Sequence, residues 1–131
     1  MTEYVYLSYE QVVELNVRHC HDSTGVRDHA TLRSQLHRPE SNSYGQDVFE
    51  GIWEKAAVLV HGVASTQTFH NGNKRTAWLA CLLFLIANGY DVEDLPVVDA
   101  EVFVRAVAAN AVDVSKAAEW LETHSFPLMG G

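Results

Sequence analysis

Apolar residues recur at three- and four-residue spacing through most of this chain, a pattern that predicts helices rather than strands. Tyr4-Val5-Tyr6-Leu7 reads as a short extended segment. Ser8 then opens a first helix, with Gln11 three positions on to complete a capping box ahead of Val12, Val13 and Leu15. Asp22 to Gly25 is a turn, and Asp28 caps a second, shorter helix carrying Ala30, Leu32 and Leu36. That helix stops near Arg38-Pro39, because the residue before a proline is pushed out of the helical region. Residues 39 to 46 are polar and turn-rich and read as a loop. Val48, Phe49, Ile52, Ala56, Leu59, Val60 and Val63 then mark a long amphipathic helix.

Ala77 to Ala87 breaks the amphipathic pattern with eleven consecutive apolar residues. A helix apolar all round belongs in a core, and this one is far too short to span a bilayer. Asn88-Gly89 gives it a C-cap. Leu95-Pro96 breaks the chain again, Asp99 caps a helix through Val107, and Ser115 caps a last one with Ala117, Ala118, Trp120 and Leu121. Ser125 to Gly131 reads as a tail that frays. The sum is one all-α domain over residues 1–131, a single compact bundle around the central apolar helix.

Composition sharpens this in two ways. With 47% hydrophobic residues, the chain can bury a core without disulfides, and Cys20 and Cys81 make no framework. The start, Met1-Thr2-Glu3-Tyr4, has neither a basic nor an apolar signal region, so the expected location is the cytoplasm. The net charge of −8 is uneven: Asp91 to Glu122 holds eight acids against Arg105 and Lys116, a local balance of −6. Such acidity disfavours nucleic acid as a partner, which needs a basic face. A lone Lys-Arg pair in an acidic chain suits a small anion better.

That pair closes the most informative stretch, Phe69-His70-Asn71-Gly72-Asn73-Lys74-Arg75-Thr76, at the mouth of the apolar run. A loop opening a helix offers unpaired backbone N–H groups and the positive end of the helix dipole. Gly72 lets the backbone approach an anion, while Lys74 and Arg75 neutralise it. Asn73 can hold the turn through its own backbone, and Phe69, apolar in a polar loop, anchors it in the core. Gly72-Asn73-Lys74 lacks Walker spacing, and no His-Glu-x-x-His or nucleophile elbow is present. His19-Cys20-His21 lacks the further ligands of a zinc pattern and reads as a helix end, and His61 reads as a helical residue.

The run Gln67-Thr68-Phe69-His70-Asn71-Gly72-Asn73-Lys74-Arg75 resembles the core motif of the Fic/Doc family, His-x-Phe-x-Asp/Asn-Gly/Ala-Asn-Lys-Arg, in all but its first position. Gly25-Val26-Arg27-Asp28 through Arg38-Pro39 is similar to the Doc branch as well, so the resemblance covers residues 4 to 122. Lys74-Arg75, with Trp78 where AMP-transferring members carry a second Arg, also resembles Doc. The resemblance implies transfer of phosphate from ATP or another nucleoside triphosphate to a protein hydroxyl, the target being a translation elongation factor. It also implies a small antitoxin acting in trans. Gly72, Asn73, Lys74 and Arg75 match the phosphate cradle, and Asn71 stands where relatives carry an acid that helps hold Mg²⁺. An amide is a weaker ligand than a carboxylate, so Asn71 permits Mg²⁺ without demanding it. Residues 38 to 46 match the flap that lays the target beside the loop, or are an ordinary surface loop.

Gln67 stands in place of the family's catalytic histidine. A carboxamide has no useful proton affinity near neutral pH, and a lost general base costs about a hundred- to ten-thousand-fold in rate. His70 is the nearest surrogate base, though next to an inward Phe69 it should point elsewhere. Two alternatives therefore stand beside an impaired Doc-like transferase. One is an inactive nucleotide- or phosphate-binding protein, and the other an enzyme acting on a phosphorylated metabolite. No Ser/Thr-x-x-x-Glu-Gly/Asn self-inhibitory run is present, so an inhibitor would come as a helix or short peptide in an apolar groove.

Overall fold

A computed structural model of the chain describes residues 3–20 and 25–128. The six described helices are α1 (Tyr9–His19), α2 (His29–His37), α3 (Gly51–Ser65), α4 (Asn73–Ala87), α5 (Val97–Ala108) and α6 (Val114–Thr123). Two short antiparallel pairs accompany them: β1 (Asn42–Ser43) with β2 (Gln46–Asp47), and β3 (Tyr90–Val92) with β4 (Ser125–Pro127). Helix α3 packs on α4, α5, α6 and α2, while α1 crosses α4. Buried residues from all six helices, among them Val12, Leu32, Val60, Phe84, Val104 and Leu121, form one contiguous core. The architecture is mostly α, as the periodicity requires. Among the described residues, no helix is long and apolar enough to cross a membrane.

Several boundaries follow local chemistry as expected. Ser8 and Gln11 make the reciprocal capping box of α1. Asp28 caps α2 by accepting from the Thr31 amide. Asn88 is the C-cap of α4, and its side-chain amide also holds the extended N-terminal segment by bonding both the N–H and the C=O of Val5.

Other expectations are corrected. Val48 and Phe49 lie ahead of α3, which begins at Gly51, and Val48 remains exposed. Helix α5 starts at Val97 after Pro96, so Asp99 is in its first turn rather than its cap. Asp113, accepting from the Lys116 amide, caps α6 in place of Ser115. The loop at 39 to 46 contains a 3-10 turn (Arg38–Glu40) and then the β1–β2 hairpin. Its two turn residues, Tyr44 and Gly45, both have positive φ, the geometry that matches the twist of a tight hairpin. Ser125–Pro127 does not fray: as β4 it pairs with Tyr90–Val92. The expected turn at 22–24, His21 and the tail beyond Leu128 lie outside the described residues.

Candidate functional site

The loop between α3 and α4 is fixed from three directions. Phe69 is fully buried and forms a β-bridge with Val26. The amides of Arg27 and Asp28 both donate to the Thr68 carbonyl, at 2.7 and 3.1 Å, and the His70 amide donates to Gly25. Asn73 then closes the turn with its side chain. Its Oδ1 accepts from the Phe69 amide at 2.9 Å, and its Nδ2 donates to the Phe69 carbonyl at 3.0 Å. The third restraint comes from α1, where buried Asn16 donates to the Asn71 carbonyl and to Thr76 Oγ1, both at 3.0 Å.

Gly72 is the N-cap of α4, with φ of 75°. A Cβ there would lie 2.4 Å from Cys20 Sγ and 2.9 Å from Cys20 Cβ. The glycine is thus demanded by the end of α1 pressing on the loop as well as by the left-handed backbone. No side chain caps α4, and its first helical bond runs from the Thr76 amide to Gly72. The amides of Asn73, Lys74 and Arg75 precede that bond and have no partner inside the helix.

These amides flank a cavity of about 510 Å³. Ala64 to Gln67 at the end of α3, Gly72 to Arg75, and Arg105, Ala108 and Ala109 of α5 line it. Among the described residues, no carboxylate is in that wall. Gln67 Oε1 accepts from Arg27 Nη1 at 2.8 Å, bringing a further guanidinium to the rim. Arg27, Lys74, Arg75 and Arg105 are all exposed, and among the described residues none is paired with a carboxylate. A second depression of about 650 Å³ adjoins the first and shares Lys74, Arg75 and Arg105. Trp78, Leu79, Leu82 and Val104 give it an apolar wall, with Asp91, Glu93, Asp94 and Glu101 at its edge.

Of the residues picked out from sequence, Gln67, Gly72, Asn73, Lys74 and Arg75 come together around the cavity. The Asn73 side chain, however, is engaged with Phe69 rather than facing a ligand. Asn71 and His70 are exposed and are not in the lining. His61 is tied to Arg38 and Asn110, a bracing role between elements. Cys20 is buried behind Gly72, and burial pushes the Cys81 thiol up to about 12, which leaves it inert. Among the described residues, no group of three or more His, Cys, Asp or Glu side chains is placed to hold a metal.

Sequence reasoning missed Arg27, Arg105, Asn16 and Cys20 as parts of the site. Arg105 carried a faint signal, a lone arginine at the end of a helix in an acidic region. Asn16 carried another, a polar residue on the buried face of α1.

Comparison with known proteins agrees with this arrangement. The family model described as Fic/DOC matches residues 6–85, which hold the clamped loop and the start of α4. The chain is also similar to a protein named Toxin Doc from Mycolicibacterium smegmatis, 35% identical over 119 residues and covering 90% of each chain. A loop built on Phe69 and Asn73, an uncapped α4 and these two matches lead to one assignment: the chain belongs to the Fic/DOC family.

Proposed function

We propose that the chain is a Doc-like toxin domain that grips the phosphates of ATP or another nucleoside triphosphate in the α3–α4–α5 cavity. It passes the terminal phosphate to a protein hydroxyl, in a target of the translation-factor type in the cytoplasm. One observation carries the reading: a cavity at an uncapped helix start is lined by Lys74, Arg75 and Arg105 and, among the described residues, by no carboxylate. In an acidic chain, such a wall is complementary to a polyanion. Lys74 acts as a point charge, whereas Arg75 and Arg105 can each engage two oxygens in a planar fork.

In the transfer, the bond from the target oxygen to the terminal phosphorus forms as the bond to the bridging oxygen breaks. A nucleoside diphosphate leaves, and the hydroxyl proton passes to solvent, because Gln67 cannot hold it. Positioning and charge neutralisation dominate phosphoryl transfer, so activity survives at a reduced rate, lower by about a hundred- to ten-thousand-fold. The described residues do not fit a Mg²⁺ held by the protein, since Asn71 supplies an amide and the wall supplies no acid.

The β1–β2 hairpin, with fully exposed Tyr44 at its tip, is the element suited to receive the target. The antitoxin, acting in trans, suits the adjoining groove, whose apolar wall and acidic edge match an amphipathic helix with basic residues.

The test is phosphate transfer from γ-labelled ATP into a bacterial lysate, with the parent chain beside Gln67→His. Weak label with the parent and strong label with the histidine variant is the expected result. No label with either folded protein would overturn the kinase reading. A second reading, nucleotide binding without turnover, is favoured by the engagement of Gln67 with Arg27, and labelling absent from both variants despite ATP binding would establish it.

A further inference from the structure

The Gln67–Arg27 contact ties a cation to the loop at both ends. The Arg27 amide donates to Thr68 at 2.7 Å, and its guanidinium donates to Gln67 at 2.8 Å. Backbone and side chain are thus held by neighbouring residues of one loop. The acid adjacent to Arg27 is engaged elsewhere: Asp28 Oδ1 accepts from the Thr31 amide at 3.0 Å, and Oδ2 from the Thr31 hydroxyl at 2.7 Å. The chain has 17 acidic residues, yet among the described ones none forms an ion pair with Arg27, Lys74, Arg75 or Arg105. Arg27 reaches the cavity through Gln67, which lines the same wall as Lys74, Arg75 and Arg105, and gathering like charge around one wall is unfavourable unless an anion joins it.

An amide suits this task where an imidazole does not. Gln67 Oε1 accepts at any pH, while an imidazole loses its acceptor on protonation and then repels the arginine. With one Nη committed to Gln67, Arg27 still has further N–H groups to direct at phosphate oxygens. Restraint before binding also removes part of the entropy cost of ordering a long side chain.

We propose that Gln67 exchanges proton transfer for charge placement. It positions Arg27 as an additional phosphate-binding residue, and the site holds a polyphosphate through side-chain charge without a divalent metal. The inference rests on the phosphate reading of the cavity and adds to it a specific residue and a metal independence.

Calorimetric titration of the full chain with ATP, once with Mg²⁺ and once with EDTA, tests it. Binding in EDTA should be at least as tight as with Mg²⁺. Arg27→Gln should weaken it by about tenfold or more, the scale of a charged hydrogen bond. Arg27→Lys should recover only part of that loss, because it keeps the charge without the fork. Gln67→Ala should weaken binding less, and the double variant should bind no worse than Arg27→Gln alone, as expected if Gln67 acts through Arg27. Both side chains are exposed, so melting curves should stay close to the parent's and show that each variant folds. Unchanged binding by Arg27→Gln, strictly additive losses, or binding that requires Mg²⁺ would overturn the inference while leaving the phosphate site standing. No ATP bound by the parent in either buffer would overturn both.

Discussion

Helix α3 meets positive charge at both ends and treats it in opposite ways. In its N-terminal half, Lys55 is 0% exposed. Its Nζ donates to the Pro39 carbonyl at 2.9 Å and pairs with Asp47 at 3.2 Å, with the rings of Tyr4 and Tyr6 within 5.2 and 5.5 Å. At its C-terminal end α3 opens on Lys74, Arg75, Arg105 and Arg27, exposed and, among the described residues, without a carboxylate partner. A buried ammonium is tolerable only when paired, so Lys55 is architecture, tying the 3-10 turn and the hairpin to the core. Exposed cations that form no ion pair among the described residues are the feature on which the proposed phosphate site rests.

The strongest way to break this comparison is Lys55→Ala. It leaves a cavity, strands the Pro39 carbonyl and frees the hairpin, and should cost about 3 kcal/mol in urea unfolding. A loss near zero would mean that Lys55 is a passive passenger in the core. Gly72→Ala comes next, at about 2 kcal/mol, from the left-handed backbone and the collision with Cys20. Removing the sulfur as well, in Cys20→Ala with Gly72→Ala, should recover part of that loss, and additive losses would deny the contact.

A smaller, pH-dependent effect belongs to the buried end. Burial works against the Lys55 ammonium, but hydrogen bonds to Tyr6 and Asp47 outweigh it and hold its pKa above the ordinary 10.5. Its contribution to stability is therefore fully present below that value and is lost as pH climbs through the raised one. An alkaline unfolding series should show the decline in the parent and a flatter curve in Lys55→Met. The smallest stability effect is expected at the open end. Lys74→Gln, Arg75→Gln and Arg105→Gln should each change unfolding free energy by no more than about 0.5 kcal/mol, and ATP affinity should fall in all of them. A marked loss of stability there would show those charges to be structural after all.

The sequence made the local devices legible. Ser8 with Gln11, Asp28, the C-cap at Asn88 and the burial of Phe69 are local or apolar signals, although Asn88 also reaches Val5 and Phe69 bridges Val26. Asp113 outcompeted Ser115 because two N-cap candidates lie two positions apart, and only backbone geometry chooses between them. Strands of two or three residues, such as β1 to β4, are too short to show alternation. The unread part of the site is that held by distant partners: Asn16 meets the loop 55 positions on, and Arg27 meets Gln67 40 positions on. Those pairings depend on how α1 and α2 pack, which no local spacing encodes.

The shared Thr68 carbonyl has a further consequence for motion. Because it receives the amides of both Arg27 and Asp28, the loop cannot open without releasing the residue that caps α2. Hydrogen exchange at Arg27, Asp28 and His70 should therefore proceed as one cooperative event, and an anion that steadies the loop should slow exchange in the first turn of α2. A helix whose residues do not line the cavity would then report, amide by amide, on what the cavity holds.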